Sequence, residues 1–375
     1  MRKVMTIVGT RPEIIRLSRT IPKLDRHFEH VLVHTGQNYD YELNEVFFRE
    51  LGIRAPDRFL NAARETAAAT IGQVIQATDE ALVEHQPDAL LLLGDTNSAL
   101  ACIAAKRRKV PIFHMEAGNR CFDLRVPEEI NRRIVDHTAD INLTYSAIAR
   151  DYLLREGLPP DQVIRTGSPM REVIEHYREA FERSDVLRRL GLGTERYFIA
   201  SVHREENVDV PGNLERFATA LVRIAETHGL PIVVSTHPRT RQRLAALGER
   251  KHPLVTFHKP FGYLDYLKLQ TEARAVLSDS GTITEEASIL NFPALNLRDV
   301  NERPEGFEEA AVMMTGMDVE RILKGIEILA TQSRGAERQL RMVDDYTADN
   351  VSDKIVRILL SYTPFVDRRV WSKPS

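Results

Sequence analysis

Two cysteines and one tryptophan are all that 375 residues contain, and the scarcity of thiols removes two classes of protein at once. Cys102 and Cys121 have no metal-ligand spacing, and two thiols build no disulfide framework. A structural metal is therefore not expected, and a reducing cytoplasm is the expected setting. Long apolar runs are also missing: none reaches the roughly 20 residues that cross a bilayer. The opening MRKVMTIVGT is too briefly apolar for a signal peptide and reads as a first core strand. Charge of one sign is absent too, with 51 basic against 54 acidic residues and a net of −3. No bulk field calls for nucleic acid or an acidic membrane. The densest basic cluster, KRRK at 106–109, follows a helical stretch and reads as its solvated C-terminal end. No strand-like run is followed by GxGxxG and no Walker motif occurs, so a bound nicotinamide cofactor is unsupported.

What is present is alternation. Hydrophobic content of 43% and charged content of 28% are those of a globular protein, and the length suits two domains. VMTIV (4–8), VLV (31–33), ALLLL (89–93), IFHM (112–115) and INLTY (141–145) read as strands of a first half. YFIASV (197–202), IVVST (232–236), LVTFH (254–258), AVLS (275–278) and ALNL (294–297) repeat the theme. Between them lie segments of helical period, such as EIIRLSRTIPKL and TIGQVIQATDEALVEH. This pattern predicts an α/β fold of two Rossmann-like, doubly wound parallel-sheet domains. The boundary is placed at the Gly-Ser-Pro turn of TGSPM, giving domains 1–168 and 169–354, with 355–375 either returning to the first domain or trailing off it.

Polar clusters gather where the strands end: GTRPE (9–13), HTGQNYD (34–40), GDTNS (94–98) and EAGNR (116–120), then HREEN (203–207), HPRT (237–240), SDSGT (278–282) and RDVNERPE (298–305). Open parallel sheets bind ligands at that edge, so two facing carboxyl edges predict one central cleft. In SDSGTITEEA, Thr282 and Glu285 have capping-box spacing and Gly281 lets the turn come close. A helix N-terminus there is either an ordinary cap or a seat for a diphosphate. The stretch EAGNRCFDLRVPEEINRR (116–133) sets Glu116, Glu128 and Glu129 among arginines. It reads as a surface loop or as a site that moves a proton beside an anion.

GTRPEIIRLS, GDTNS, EAGNR, PEEINR, HREEN, DSGTITEEA and RDVNERPEG, in this order, closely resemble the non-hydrolysing UDP-N-acetylglucosamine 2-epimerase family over nearly the whole chain. The resemblance implies the two-domain GT-B architecture, a UDP-sugar substrate, no cofactor and a homodimer. GTRPEIIRLS, TGQNYDYELNEVFF, EAGNRCFD and HREEN are similar to the UDP-N-acetyl-L-fucosamine synthase branch, which epimerises C2 of UDP-2-acetamido-2,6-dideoxy-β-L-talose for surface polysaccharide. UDP-N-acetylglucosamine/UDP-N-acetylmannosamine epimerisation is the alternative. A GT-B glycosyltransferase, a hydrolysing epimerase and a silent nucleotide-sugar sensor are the remaining rivals.

The implied chemistry suits the residues. C2 of an N-acetylhexosamine has no carbonyl neighbour to acidify its hydrogen, so the family's route expels UDP while a base removes that hydrogen. UDP then adds back to a glycal-type intermediate with a proton delivered to the opposite face. By motif match Asp95, Glu116 and Glu128 are the acid–base carboxylates, although Asp95 also suits a helix cap and Glu128 an ion pair with Arg132. Glu129 reads as structural. His203 and Arg204 match a pair beside the diphosphate, His237 shapes a loop, and Arg11, Arg16, Arg132 and Arg303 resemble positions around the substrate. Ser280, Gly281 and Thr282 are expected at the phosphates and Glu286 at the ribose. Tyr266 matches an aromatic position by the uracil and equally suits a packed helix face. Departures from the bacterial UDP-N-acetylglucosamine enzymes are Arg16 where lysine is usual, Glu205 where a second arginine is usual, and Thr282 and Thr284 in place of glycine and glutamine. They point to a different sugar.

Overall fold

The computed structural model describes residues 1–37, 47–210, 212–236, 240, 241, 243, 244 and 252–373. The chain divides into two units, one formed by Met1–Glu175 with Thr347–Ser375 and the other by His176–Tyr346. Each is described by itself.

The first unit holds a seven-stranded sheet in the order β3-β2-β1-β4-β5-β6-β7. Its strands are β1 (Lys3–Val8), β2 (Glu29–His34), β3 (Arg58–Phe59), β4 (Ala89–Leu93), β5 (Ile112–Ala117), β6 (Ile141–Thr144) and β7 (Val163–Arg165). All pairs are parallel. Parallel strands need crossovers that cover both faces, which is why ALLLL is buried at every position. The apolar stripe of helix α3 (Ala67–His85), through Val74, Ala77, Ala81 and Leu82, packs into the core formed with Met5, Val33 and Leu90. The second unit repeats the plan with six strands, ordered β10-β9-β8-β11-β12-β13. These are β8 (Phe198–Ser201), β9 (Ile232–Ser235), β10 (Val255–His258), β11 (Ala275–Ser278), β12 (Ala294–Asn296) and β13 (Met313–Met314), again all parallel.

Several expectations need correction. EIIRLSRTIPKL is not one helix but two, α1 (Arg11–Leu17) and α2 (Thr20–His27). Pro22 has no N–H and its ring would clash with the carbonyl of Ser18, so it is tolerated only in the first turn of a new helix. The short edge strands β3, β7 and β13 were invisible to periodicity because two or three residues carry no period. β5 runs past IFHM through Glu116 and Ala117, with its pairing to β6 shifted by an irregularity between Met115 and Ala117. Near the C-terminus, helix α8 (Val351–Arg369) packs on α2. Lys23 meets Asp353 at 2.7 Å, and Lys354 reaches the Thr166 carbonyl at 2.7 Å. Trp371 lies under the Lys106 ammonium, 5.4 Å from it. Among the described residues no helix is long and apolar enough to cross a membrane.

Candidate active site

Strand order reverses where β1 meets β4 and where β8 meets β11. At such a point the crossovers leave toward opposite faces and open a crevice at the carboxyl edge. The segments leaving these four strands are GTRPE and GDTNS in the first unit, HREEN and SDSGT in the second. Topology thus puts four of the chemistry-bearing motifs at the two positions where ligands are bound in folds of this class.

In the first unit, Arg11 opens α1, and its guanidinium carbon stands 5.4 Å from the centre of the Phe47 ring. Arg16 lies in the last turn of the same helix, buried, with Nε 3.2 Å from Oε2 of Glu116. Glu116 sits on the irregularity of β5 with φ of +64°. The left-handed region costs a residue with a Cβ roughly 1–2 kcal/mol, so the surrounding structure holds this carboxylate where the chain alone would not. Asn119 Nδ2 stands 3.4 Å from its Oε1. Asp95 follows Gly94, itself at φ +75°. Arg132 Nε donates to Asp95 Oδ2 at 2.8 Å, and Asn131 Nδ2 donates to the Asp95 carbonyl at 2.9 Å. Both donors come from helix α4 (Pro127–Thr138), whose half-buried first-turn residue Glu128 lies where the helix dipole favours a carboxylate. Glu129 is fully buried; it accepts from the Cys121 N–H at 3.0 Å and pairs with Arg132 and Arg133, each at 3.2 Å.

In the second unit, Asp279 organises the HREEN turn. Its carboxylate accepts from the backbone N–H groups of His203 and Arg204, and from Asn207 Nδ2 at 3.2 Å, with His203 Nδ1 at 2.9 Å. Burial pushes this carboxyl up, but the His203 ring and these hydrogen bonds together hold it down at about 2. The Ser280 and Thr282 hydroxyls are 2.9 Å apart at the start of helix α7 (Thr282–Leu290). Gly281 is the N-cap with ordinary right-handed backbone, and a Cβ there would meet Arg204 Nη2 and Glu302 Oε2 at 3.6 Å, an ordinary contact, so neither backbone nor packing within this unit demands a glycine. The helix carries no side-chain cap bond, which corrects the capping-box reading of Thr282 and Glu285. Glu285 turns instead to the buried Arg303, Oε2 to Nη2 at 3.1 Å, because a buried guanidinium needs a carboxylate. Glu286 is buried and accepts from Gln270 Nε2 at 2.9 Å. The Tyr266 hydroxyl meets Ser201 Oγ at 3.0 Å, and burial pushes its pKa up. Among the described residues no cluster of three or more His, Cys, Asp or Glu is placed to hold a metal ion.

Known proteins resemble this chain over nearly its whole length. The model of the family described as UDP-N-acetylglucosamine 2-epimerase matches residues 22–360. The chain belongs to that family, whose members are nucleotide-sugar isomerases. A structure of UDP-N-acetylglucosamine 2-epimerase from Rickettsia bellii is 49% identical, with a TM-score of 0.92 and coverage of 100% of both chains. Methanocaldococcus jannaschii UDP-GlcNAc 2-epimerase, solved in complex with UDP-GlcNAc and UDP, is 32% identical at a TM-score of 0.89, covering 96% of this chain and 99% of that one. A UDP-2,3-diacetamido-2,3-dideoxy-D-glucuronate 2-epimerase of Pseudomonas aeruginosa is 34% identical over 306 residues, 80% of this chain and 84% of the other.

Within this epimerase-family chain the motif residues fall into defined partnerships. Arg16 joins Glu116, and Arg132 joins Asp95 to Glu129. Asp95 does not cap the following turn: Thr96 does, its hydroxyl facing the Ser98 N–H at 3.4 Å. His237 lies outside the described residues. One group escaped the sequence reading. Glu13, the last letter of GTRPE, is buried; it accepts from the Gly9 N–H and from the hydroxyls of Thr96 at 2.6 Å and Ser98 at 3.0 Å. Burial pushes its carboxyl up to about 7, against the pull of those hydrogen bonds. Its spacing after Thr10 signals a helix start, but nothing local announces partners more than 80 residues away.

Proposed function

We propose that this protein is a UDP-N-acetylhexosamine 2-epimerase working by elimination and re-addition of UDP, with UDP-2-acetamido-2,6-dideoxy-β-L-talose as substrate and UDP-N-acetyl-L-fucosamine as product. The observation that carries the chemistry is the first unit's sheet edge: Glu116 locked against Arg16 on a left-handed backbone, and Asp95 against Arg132 on the helix that bears Glu128. Cleavage of C1–O leaves oxocarbenium-like charge at the ring while one carboxylate removes H2. Return of UDP to the 2-acetamidoglycal restores C1–O as another carboxylate protonates C2 from the opposite face. In this reading UDP belongs to the second unit. The N–H groups opening α7, Arg204 and His203 take the diphosphate, Glu286 the ribose and Tyr266 the uracil. UDP and glycal are then retained together through the cycle.

Support for the 6-deoxy sugar comes from Arg16. Its guanidinium keeps its charge under all working conditions and stands against Glu116, where the bacterial UDP-N-acetylglucosamine enzymes that the motifs resemble usually have lysine, a compact and more readily discharged cation. The Pseudomonas relative acts on UDP-2,3-diacetamido-2,3-dideoxy-D-glucuronate by its name, so a sugar other than N-acetylglucosamine is compatible with this degree of likeness. Epimerisation between UDP-N-acetylglucosamine and UDP-N-acetylmannosamine is the second reading, favoured by the names of the relatives from Rickettsia and Methanocaldococcus. A cytoplasmic homodimer serving surface-polysaccharide synthesis completes the proposal. Proton NMR in D₂O tests it, with the talose substrate in one tube and UDP-N-acetylglucosamine in another. Deuterium at C2 with a new UDP-sugar is the expected result, and the tube in which it forms selects the substrate. Exchange in neither tube would refute the reaction.

A further inference from the structure

Behind the candidate carboxylates lies an ion pair to which the reaction above gives no task. His114, two residues before Glu116 on β5, is buried and engages both ring nitrogens: Nε2 meets the Gly94 carbonyl at 2.8 Å, and Nδ1 meets Asp136 Oδ1 at 2.9 Å. A carbonyl oxygen only accepts, so Nε2 carries a proton. Asp136 Oδ2 accepts from Arg120 Nη1 at 2.7 Å and from the Gly118 N–H at 3.2 Å, which keeps the carboxyl ionised. The Nδ1 contact is therefore N–H to carboxylate, and the ring is an imidazolium. Burial alone would discharge it. Asp136, the Gly94 carbonyl and the nearby Asp95 outweigh burial and raise His114 above the usual histidine value. Asp136 is also pushed up by burial but is held low by His114 and Arg120. The other ionisable neighbours are Cys102, whose thiol burial pushes up to about 12 and so keeps neutral, and Glu156, which pairs with Arg120 and with His137, each at 2.8 Å.

The partners of the pair define its task. Gly94 immediately precedes Asp95, and Gly118 follows Glu116 by two residues with φ of +83°. Asp136 lies on α4, the helix that carries Glu128 and sends Asn131 and Arg132 to Asp95. We propose that His114 and Asp136 are positioning residues for the epimerase reaction, holding the Asp95, Glu116 and α4 segments together through the Gly94 carbonyl and the Gly118 amide, and that they do so with a doubly protonated imidazole. This rests on the reaction proposed above. A neutral ring has one N–H to give. It either releases Asp136 or turns a lone pair toward the Gly94 carbonyl, and one of the three segments loosens while every substrate-facing group is unchanged. The turnover number then falls with KM held, because the ground-state contacts persist and the alignment does not.

The test is carried out on the full chain with nitrogen-15-labelled histidine. The imidazole shifts are expected to show His114 charged at neutral pH, and kcat is expected to begin falling at the pH where that ring loses its proton, with KM and UDP affinity flat across the step. His114→Gln keeps a donor for Gly94 but leaves Asp136 without its cation, and is expected to lower kcat roughly 10- to 100-fold. In Asp136→Asn the amide oxygen still accepts from Gly118 and the amide nitrogen donates to a neutral ring. The loss in kcat should be smaller than in His114→Gln, and the alkaline fall should disappear. A neutral His114 near pH 7, or an alkaline fall that survives in Asp136→Asn, overturns the inference. Absence of C2 exchange in the wild-type chain would take the reaction and this inference down together, whereas wild-type exchange with an unaltered Asp136→Asn profile removes this inference alone.

Discussion

Glu116 and Glu13 show how one side-chain type takes two roles according to what surrounds it. Glu116 stands 3.2 Å from the fixed charge of Arg16, an arrangement that favours the carboxylate form. Replacing it by glutamine keeps the shape and removes one of the three carboxylates proposed to move the C2 proton. Glu116→Gln is expected to lose ~10²- to 10⁴-fold in C2 exchange, with UDP binding by titration calorimetry unchanged because the residues assigned to UDP are in the other unit. Undiminished exchange would end the role assigned to Glu116. Glu13 is surrounded by an amide and two hydroxyls, with its pKa at about 7 instead of 4.5. The raised value means that the folded state holds the proton more tightly than the unfolded chain. Its contribution is complete below the unfolded pKa and is lost as pH rises through about 7, a change on the order of 3 kcal/mol. Glu13→Gln cannot lose a proton, so its stability should vary less between acid and mildly alkaline solution than the wild type's. Thermal melts near pH 5 and near pH 8 should show the gap in Tm narrowing by several degrees, and an unchanged gap would argue against a protonated Glu13.

At the scale of elements, the turn that carries EAGN is set by steric fit. Gly118 has φ of +83°, and a Cβ built on it would lie 2.4 Å from the Ala149 carbonyl oxygen. Backbone cannot swing aside as a side-chain tip can. Gly118→Ala is therefore expected to cost about 2–4 kcal/mol and to displace Glu116 as well, so that the thermal transition and C2 exchange fall together. A fully active, fully stable variant would show that the turn yields more easily than its packing implies. The break between α1 and α2 follows the same logic from the chain's side: Pro22 ends what the apolar period would have continued, and Arg16 is left in the last turn of α1, where it meets Glu116.

At the scale of the whole molecule, the two units have separate sheets and separate cores. A chain of this kind need not unfold in one step. UDP assigned to the second unit stabilises that unit by mass action, by about 2.7 kcal/mol at about 100 times its Kd. Calorimetry is expected to show the transition of His176–Tyr346 moving up with UDP. A shift confined to the other unit would contradict the placement of the nucleotide on α7 and Arg204. The acid limit belongs to this scale too. Asp279 titrates at about 2 in the fold, so its stabilisation is present above the usual aspartate value and drains away as pH falls toward about 2.

Much of this protein was legible before any coordinates. Strand–helix alternation follows from local apolar period, and the ordered motifs carried the family, because each motif is a short run of neighbouring residues that reads the same without the fold. Which strand lies beside which was not legible: β1 pairs with β4 across 80 residues of chain, and that choice is made by how crossover helices cover the sheet. Nor was the left-handed backbone of Glu116, which a residue with a Cβ adopts only when surrounding contacts outweigh its cost. The partnerships of Arg16 with Glu116, of Glu13 with Thr96 and of His114 with Asp136 and Gly94 all join distant segments. Sequence supplied the chemical groups; their charge states were decided only by burial and by neighbours that the tertiary fold brings together, since desolvation and Coulomb energy depend on distance in space and not along the chain.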